Sequence, residues 1–164
     1  MSKTLSQHDT EVWQRLVESE KEFYIASQAF LKSDVDRVSL LKEKLYSQEK
    51  NTAYYFLNYL KKEEVMQLFD VLVSLASTGH SNIKRVRDAI LSLPHDWVIK
   101  NIEPLVEPLL IDGTDDEYRR FLELYYELDK DLTRKLAQRA TQHTDPHIKE
   151  AGEDFLKILE GKID

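Results

Sequence analysis

Apolar and polar residues alternate with helical spacing along almost the whole chain. Val12, Leu16, Phe23, Ala26 and Phe30 form one stripe, widened by Trp13, Val17, Tyr24 and Leu31. That spacing predicts a long amphipathic helix over about residues 9–32, capped by Ser6 or Asp9. Ser33-Asp34 interrupts it and begins a second helix, to about Gln48, with Val35, Val38, Leu41 and Leu45 on one face and Leu40 beside them. Asn51-Thr52 is read as the cap of a third, whose Tyr54, Leu57 and Leu60 are broadened by Tyr55, Phe56 and Tyr59. Val65, Leu68, Phe69, Leu72, Val73 and Ala76 predict a fourth, ended by Ser77-Thr78-Gly79 with Gly79 in the left-handed position.

Ser81-Asn82 is expected to cap a fifth helix, with Ile83, Val86, Ile90 and Leu91 inward. The segment from Trp97 to Ile111 holds Pro104 and Pro108. Each removes a backbone donor, so a kink or split is expected near Glu103. Thr114 or Asp115 begins a helix with Tyr118, Phe121, Leu122, Tyr125 and Leu128 inward. After the corner Asp129-Lys130-Asp131, Leu132, Leu136 and Ala140 make the next stripe, with Ala137 beside it. Thr144-Asp145-Pro146 is a capped start with Pro in the first turn. Ile148, Ala151, Phe155, Leu156 and Leu159 follow, and the tail Gly161-Lys162-Ile163-Asp164 is expected to fray.

Three helix starts look alike: Asn82-Ile83-Lys84-Arg85-Val86-Arg87-Asp88-Ala89, Asp115-Asp116-Glu117-Tyr118-Arg119-Arg120-Phe121, and Asp145-Pro146-His147-Ile148-Lys149-Glu150-Ala151. Ile83 and Tyr118 are 35 residues apart, Tyr118 and Ile148 30. A helix pair at such a period cannot bury its own apolar face and needs neighbours. The acidic start, then an apolar, a basic and a small residue, resembles the HEAT-repeat family. The match is best at Asp145–Ala151, looser at Asn82–Ala89, and covers about residues 51–159. The resemblance implies an all-α chain of stacked antiparallel helix hairpins, a HEAT-like α-solenoid over 51–164, with an N-terminal helical cap over 1–50. Pro104 and Pro108 depart from the family pattern.

Composition agrees with long elements and few corners. The chain has 164 residues, 41% hydrophobic and 32% charged, with 4 Gly and 4 Pro. It has no Cys, which removes disulfides, thiolate metal sites and a Cys nucleophile. Met1–Asp9 has no apolar signal core, and no window approaches the roughly 18 apolar residues of a membrane span. A cytoplasmic protein without membrane insertion is expected. The net charge of −7 argues against nucleic acid as partner.

Candidate chemistry is sparse. His143, His147 and Glu150 offer imidazole and carboxylate ligands, but Pro146 starts a new helix between the two His, so they do not share a helical face. His80 and His95 lie in corners beside Ser81 and Asp96, without the turn of a nucleophilic serine. Asp112, Asp115, Asp116 and Glu117 lack calcium-loop spacing and suit a helix N-terminus. No Gly-rich phosphate loop occurs. Neither catalytic residues, a cofactor nor a metal is expected.

Basic residues recur at Lys84, Arg85 and Arg87, at Arg119 and Arg120, and at Lys130, Arg134, Lys135 and Arg139. Residues 81–164 carry 13 basic and 18 acidic side chains, and Glu123, Glu127, Asp129 and Asp131 interleave with the basic ones. A mixed solvated face is the reading. The function expected is a non-catalytic scaffold or adaptor that binds a protein or peptide on its solenoid surface. Lys100, Arg134, Lys135, Gln138 and Arg139 on the second helices are the candidate contacts, with Tyr55 and Tyr126 off the main stripes. Trp97 is an anchor or a corner plug. The alternative is a HEAT-like enzyme, a DNA base-repair glycosylase or a bilin lyase, marked by a deep pocket with a carboxylate or His on its floor and aromatic walls. A third reading is a relative of the helical sensor segments beside bacterial signalling ATPases.

Overall fold

The computed structural model describes residues 4–163; Met1-Ser2-Lys3 and the tail residue Asp164 lie outside them. The order is α1 (Gln7–Lys32), α2 (Arg37–Lys44), α3 (Lys50–Phe56), a 3₁₀ turn (Leu57–Tyr59), α4 (Lys62–Gln67), α5 (Phe69–Leu75), α6 (Ile83–Leu91), α7 (His95–Ile111), α8 (Asp115–Leu128), α9 (Lys130–Thr141) and α10 (Pro146–Leu159). No strand occurs among the described residues. No described helix is long and apolar enough to cross a membrane. The chain divides into two compact units, Met1–Asp36 and Arg37–Asp164.

In the first unit, Ser6 caps α1 and Asp9 closes the box. The Asp9 N–H donates to Ser6 Oγ and the Ser6 N–H to the Asp9 carboxylate, at 3.1 and 2.7 Å. Both residues proposed for that start therefore take part. The Ser6 hydroxyl, which donates to the Asp9 carboxylate at 2.7 Å, and then the Ser6 N–H hold that carboxyl below its ordinary pKa.

In the second unit, α5 packs on α6 and α7, α7 on α8, and α8 on α9 and α10, while α6 also meets α8. The core is one continuous cluster. Leu68, Leu72, Val86, Ile90, Val98, Ile102, Phe121, Leu122, Leu124 and Ile148 are fully covered. Helices α9 and α10 meet through small residues. A Cβ on Gly152 would stand 2.5 Å from the Ala137 carbonyl oxygen and 2.8 Å from the Ala140 Cβ. That close approach gives a physical reason for the small residues following Lys149 and Glu150.

Several elements differ from the sequence reading. α2 is shorter than expected, and Val35 and Leu40 stay exposed. α3 starts after Glu49 without a side-chain cap. The Asn51 amide oxygen instead accepts a 3.3 Å bond from the Asn82 amide. Asn82 makes no side-chain cap on α6 either; its N–H donates to His80 Nδ1 at 3.2 Å. The expected fourth helix breaks at Leu68 into α4 and α5.

Gly79 is not left-handed, since the one positive φ among the described residues is Gly161, at 72°. After α5, the Ser77 hydroxyl donates to the Ser74 carbonyl, and the Gly79 N–H to the Asp116 carboxylate. The described part of the tail is ordered by hydrogen bonds. Gly161 takes the left-handed position, and Gly161 and Lys162 N–H donate back to the Ile158 and Lys157 carbonyls, the double bond of a glycine-ended helix.

The prolines do not split α7, which runs through both. Pro104 and Pro108 stand one turn apart on the exposed side, while Val98, Ile102, Val106 and Leu110 fill the buried side. The carbonyls left without a helical donor, those of Lys100 and Pro104, belong to solvent-facing residues, where water can serve them.

Candidate binding surface

Three caps fix the helices that carry the surface charges. Thr114 and Glu117 form a box at the start of α8: the Thr114 N–H donates to Glu117 Oε2 at 2.7 Å, and the Asp116 N–H to Thr114 Oγ1 at 3.3 Å. Burial pushes the Glu117 carboxyl up, but hydrogen bonds from the Thr114 hydroxyl and N–H outweigh it and leave the pKa below the ordinary value. Asp129 ends α8 and caps α9 through the Leu132 N–H at 2.8 Å. Asp145 caps α10 through the His147 N–H at 2.8 Å, with Pro146 in the first turn.

The basic residues singled out in the sequence are largely occupied by acids of the same chain. Arg87 on α6 reaches Glu123 on α8 at 2.5 Å, and its Nε is buried without an acceptor. Arg119 on α8 reaches Asp154 on α10 at 3.1 Å and Glu150 at 4.0 Å. Arg120 bonds Asp116 and Glu123, and Lys84 bonds Asp88. Arg134 pairs with Asp131 at 2.8 Å. From α9 to α7, Lys135 meets Glu103 at 2.7 Å and Arg139 meets both Glu107 oxygens at 2.6 and 2.7 Å. A sequence stripe of cations thus becomes rungs between neighbouring helices.

These last two pairs rim a cleft of about 190 Å³ between α7, α8 and α9, lined also by Leu110, Tyr125, Leu132 and Leu136. Burial, reinforced by Glu103 and Glu107, pushes the Tyr125 phenol up, so it stays a neutral O–H donor at ordinary pH. Both carboxylates at this cleft are held by cations.

Of the other candidates, Lys100 and Gln138 are exposed on α7 and α9. The Lys130 ammonium lies 4.6 Å from the Tyr126 ring centroid. Tyr55 is half-buried, 5.2 Å from the Tyr59 ring, with the Arg85 guanidinium 5.9 Å from its own centroid.

Three of the five histidines serve the backbone. His80 Nε2 bonds the Leu75 carbonyl at 2.8 Å, and His95 Nε2 the Leu128 carbonyl. His143 Nδ1 accepts the Asp145 N–H at 3.0 Å, its ring edge-on to Tyr118. Among the described residues no group of three or more His, Asp or Glu converges as metal ligands would.

The surface least spoken for lies elsewhere. An open groove of about 490 Å³ runs between α2, α4, α5 and α7, lined by Lys42, Met66, Gln67, Phe69, Asp70, Trp97, Asn101, Pro104 and Leu105. Its floor is aromatic. The Phe69 and Trp97 rings meet edge to face at 4.9 Å and 65°. Its rim is polar: Lys42 and Asp70 pair at 3.4 Å, and the Asn101 amide donates to the Trp97 carbonyl at 2.7 Å. The sequence pointed to Trp97 alone. Met66, Phe69, Asn101 and Leu105 join it only because α4, α5 and α7 come side by side, and no local spacing reveals that.

No family model, no curated protein and no solved structure matches the chain.

Proposed function

We propose that the chain is a non-catalytic scaffold that binds a protein segment or peptide, and that the groove floored by Phe69 and Trp97 receives it. This reading keeps the HEAT-like arrangement for residues 51–164, with α6, α8 and α10 as successive first helices and α7 and α9 as second helices. The α6–α8 and α8–α10 ion pairs and the α7–α9 pairs support it, because they join equivalent members of neighbouring hairpins. The observation that carries the binding role is the open aromatic groove.

Its chemistry suits an extended segment. Trp97 and Phe69 supply apolar area, while Gln67 and Asn101 offer amides to a peptide backbone at the rim. A rigid helical wall lowers the ordering penalty to the partner's side alone. Lys100, exposed one residue before Asn101, adds a cation near the rim. Lys135 and Arg139 take part only if a partner displaces Glu103 and Glu107, so they rank behind the groove as contacts.

The test is selection from a phage-displayed random peptide library on the purified chain. Enriched peptides are then titrated against Asn101→Arg, an exposed change at the groove that leaves the core intact. A tenfold or greater loss of affinity, on the order expected of a central contact, supports the reading. Unchanged affinity for Asn101→Arg, with a loss on Arg134→Ala/Arg139→Ala instead, moves the site to α9. A library that yields no binder contradicts the peptide-binding role.

A further inference from the structure

The cleft between α7, α8 and α9 is built from residues that the groove at Trp97 does not use. Leu110, Leu132 and Leu136 give it an apolar lining, and each is buried. At its mouth stand two partly exposed ion pairs, Lys135 with Glu103 and Arg139 with Glu107. Two acids and two bases leave that mouth without net charge. Tyr125 stands outside this pairing. It is only 3% exposed, yet its hydroxyl makes no hydrogen bond among the described residues. A buried phenol ordinarily has a partner. The charges that act on this one belong to Glu103, Glu107 and Arg139, all residues of the cleft, so the hydroxyl end faces into it. Lys135 and Arg139 hold both carboxylates, which leaves the phenol with a proton to donate and no acceptor turned to it.

We propose that this cleft binds an uncharged, ring-sized alcohol or phenol whose oxygen accepts the Tyr125 O–H. Size sets the ring. The cleft holds about 190 Å³, and an apolar cavity of roughly 150 Å³ takes up benzene. Charge sets the class. A ligand carboxylate would meet Glu103 and Glu107 at the mouth, and an ammonium would meet Lys135 and Arg139. Either gains a partner only by breaking an existing pair and stranding a charge. A hydroxyl needs no such exchange. It accepts from Tyr125 and donates its own proton to a spare lone pair of Glu103 or Glu107. This site is separate from the groove at Trp97, and each stands without the other.

Titration of the full chain with phenol, followed by amide NMR shifts, tests this. Phenol is expected to bind with a dissociation constant on the order of 1 mM, within reach of so small a ligand. The shifts should centre on α7, α8 and α9 around Tyr125. Toluene has the same shape without the oxygen and should bind about five- to tenfold more weakly, the scale of one hydrogen bond. Tyr125→Phe, its folding checked by circular dichroism, should remove that difference. Phenol then falls by the same factor while toluene is unchanged, a pattern that a merely loosened fold would not give. Phenol that fails to bind at about 10 mM, or that shifts only the residues around Trp97, overturns the proposal. So does a preference for phenol over toluene that survives Tyr125→Phe. Benzoate that binds more tightly than phenol overturns the uncharged class.

Discussion

Leu16 in α1 and Phe121 in α8 both stand on the apolar side of a capped amphipathic helix, yet Leu16 is 60% exposed and Phe121 is fully covered. The starts of the two helices are built alike: Ser6 with Asp9, Thr114 with Glu117. What separates them is company. α8 is packed by α7, α9 and α10, and further pinned by Arg87 from α6 and by Asp154 from α10. Apolar periodicity and a cap are enough to make a helix, but only neighbours brought from afar in sequence decide whether its stripe becomes core. The same kind of stripe is core in α8, while Val12, Trp13 and Leu16 of α1 stay exposed.

Truncation breaks that comparison most sharply. Phe121→Ala is expected to destabilise the fold by about 3–5 kcal/mol, since it opens a cavity in a core that cannot fully collapse. Leu16→Ala is expected to stay within about 0.5 kcal/mol, as at an ordinary surface position. Urea unfolding of the two variants measures both. Similar losses would mean that α1 is as much a part of the core as α8.

A smaller effect probes the shared feature, the capped start. Thr114→Ala removes the α8 cap and should cost about 1 kcal/mol. The box also sets a pH dependence. The Glu117 pKa is depressed in the folded state, so its contribution is present above the unfolded carboxylate value and fades as pH falls through the lower folded value. Thr114→Ala should then differ from the wild type at neutral pH and approach it under acid conditions. A gap that persists at low pH would separate the cap from the Glu117 charge.

The parts of the fold that could be read in the sequence are those with local causes. Ser6, Thr114 and Asp145-Pro146 begin helices because their own side chains and ring geometry satisfy or dispense with nearby N–H groups. The inward residues of α6, α8, α9 and α10 follow from period alone. Features that depend on distant partners were hidden. Pro104 and Pro108 looked like breaks, because nothing local tells which side of α7 meets solvent. Lys135 and Arg139 read as partner contacts, because Glu103 and Glu107, which hold them, lie 32 residues earlier in the chain. Asn82 looked like a cap, but its amide is drawn to Asn51. The groove at Trp97 is assembled from four helices and has no signature in any one of them.

Amide hydrogen exchange, followed by mass spectrometry, tests the contrast most directly. Protection in α8, α9 and α10 should be strong, because their apolar sides are buried in one continuous core. Protection of residues 10–24 in α1, where Val12, Trp13 and Leu16 are exposed, should be weak. Equally strong protection of that stretch would contradict the account.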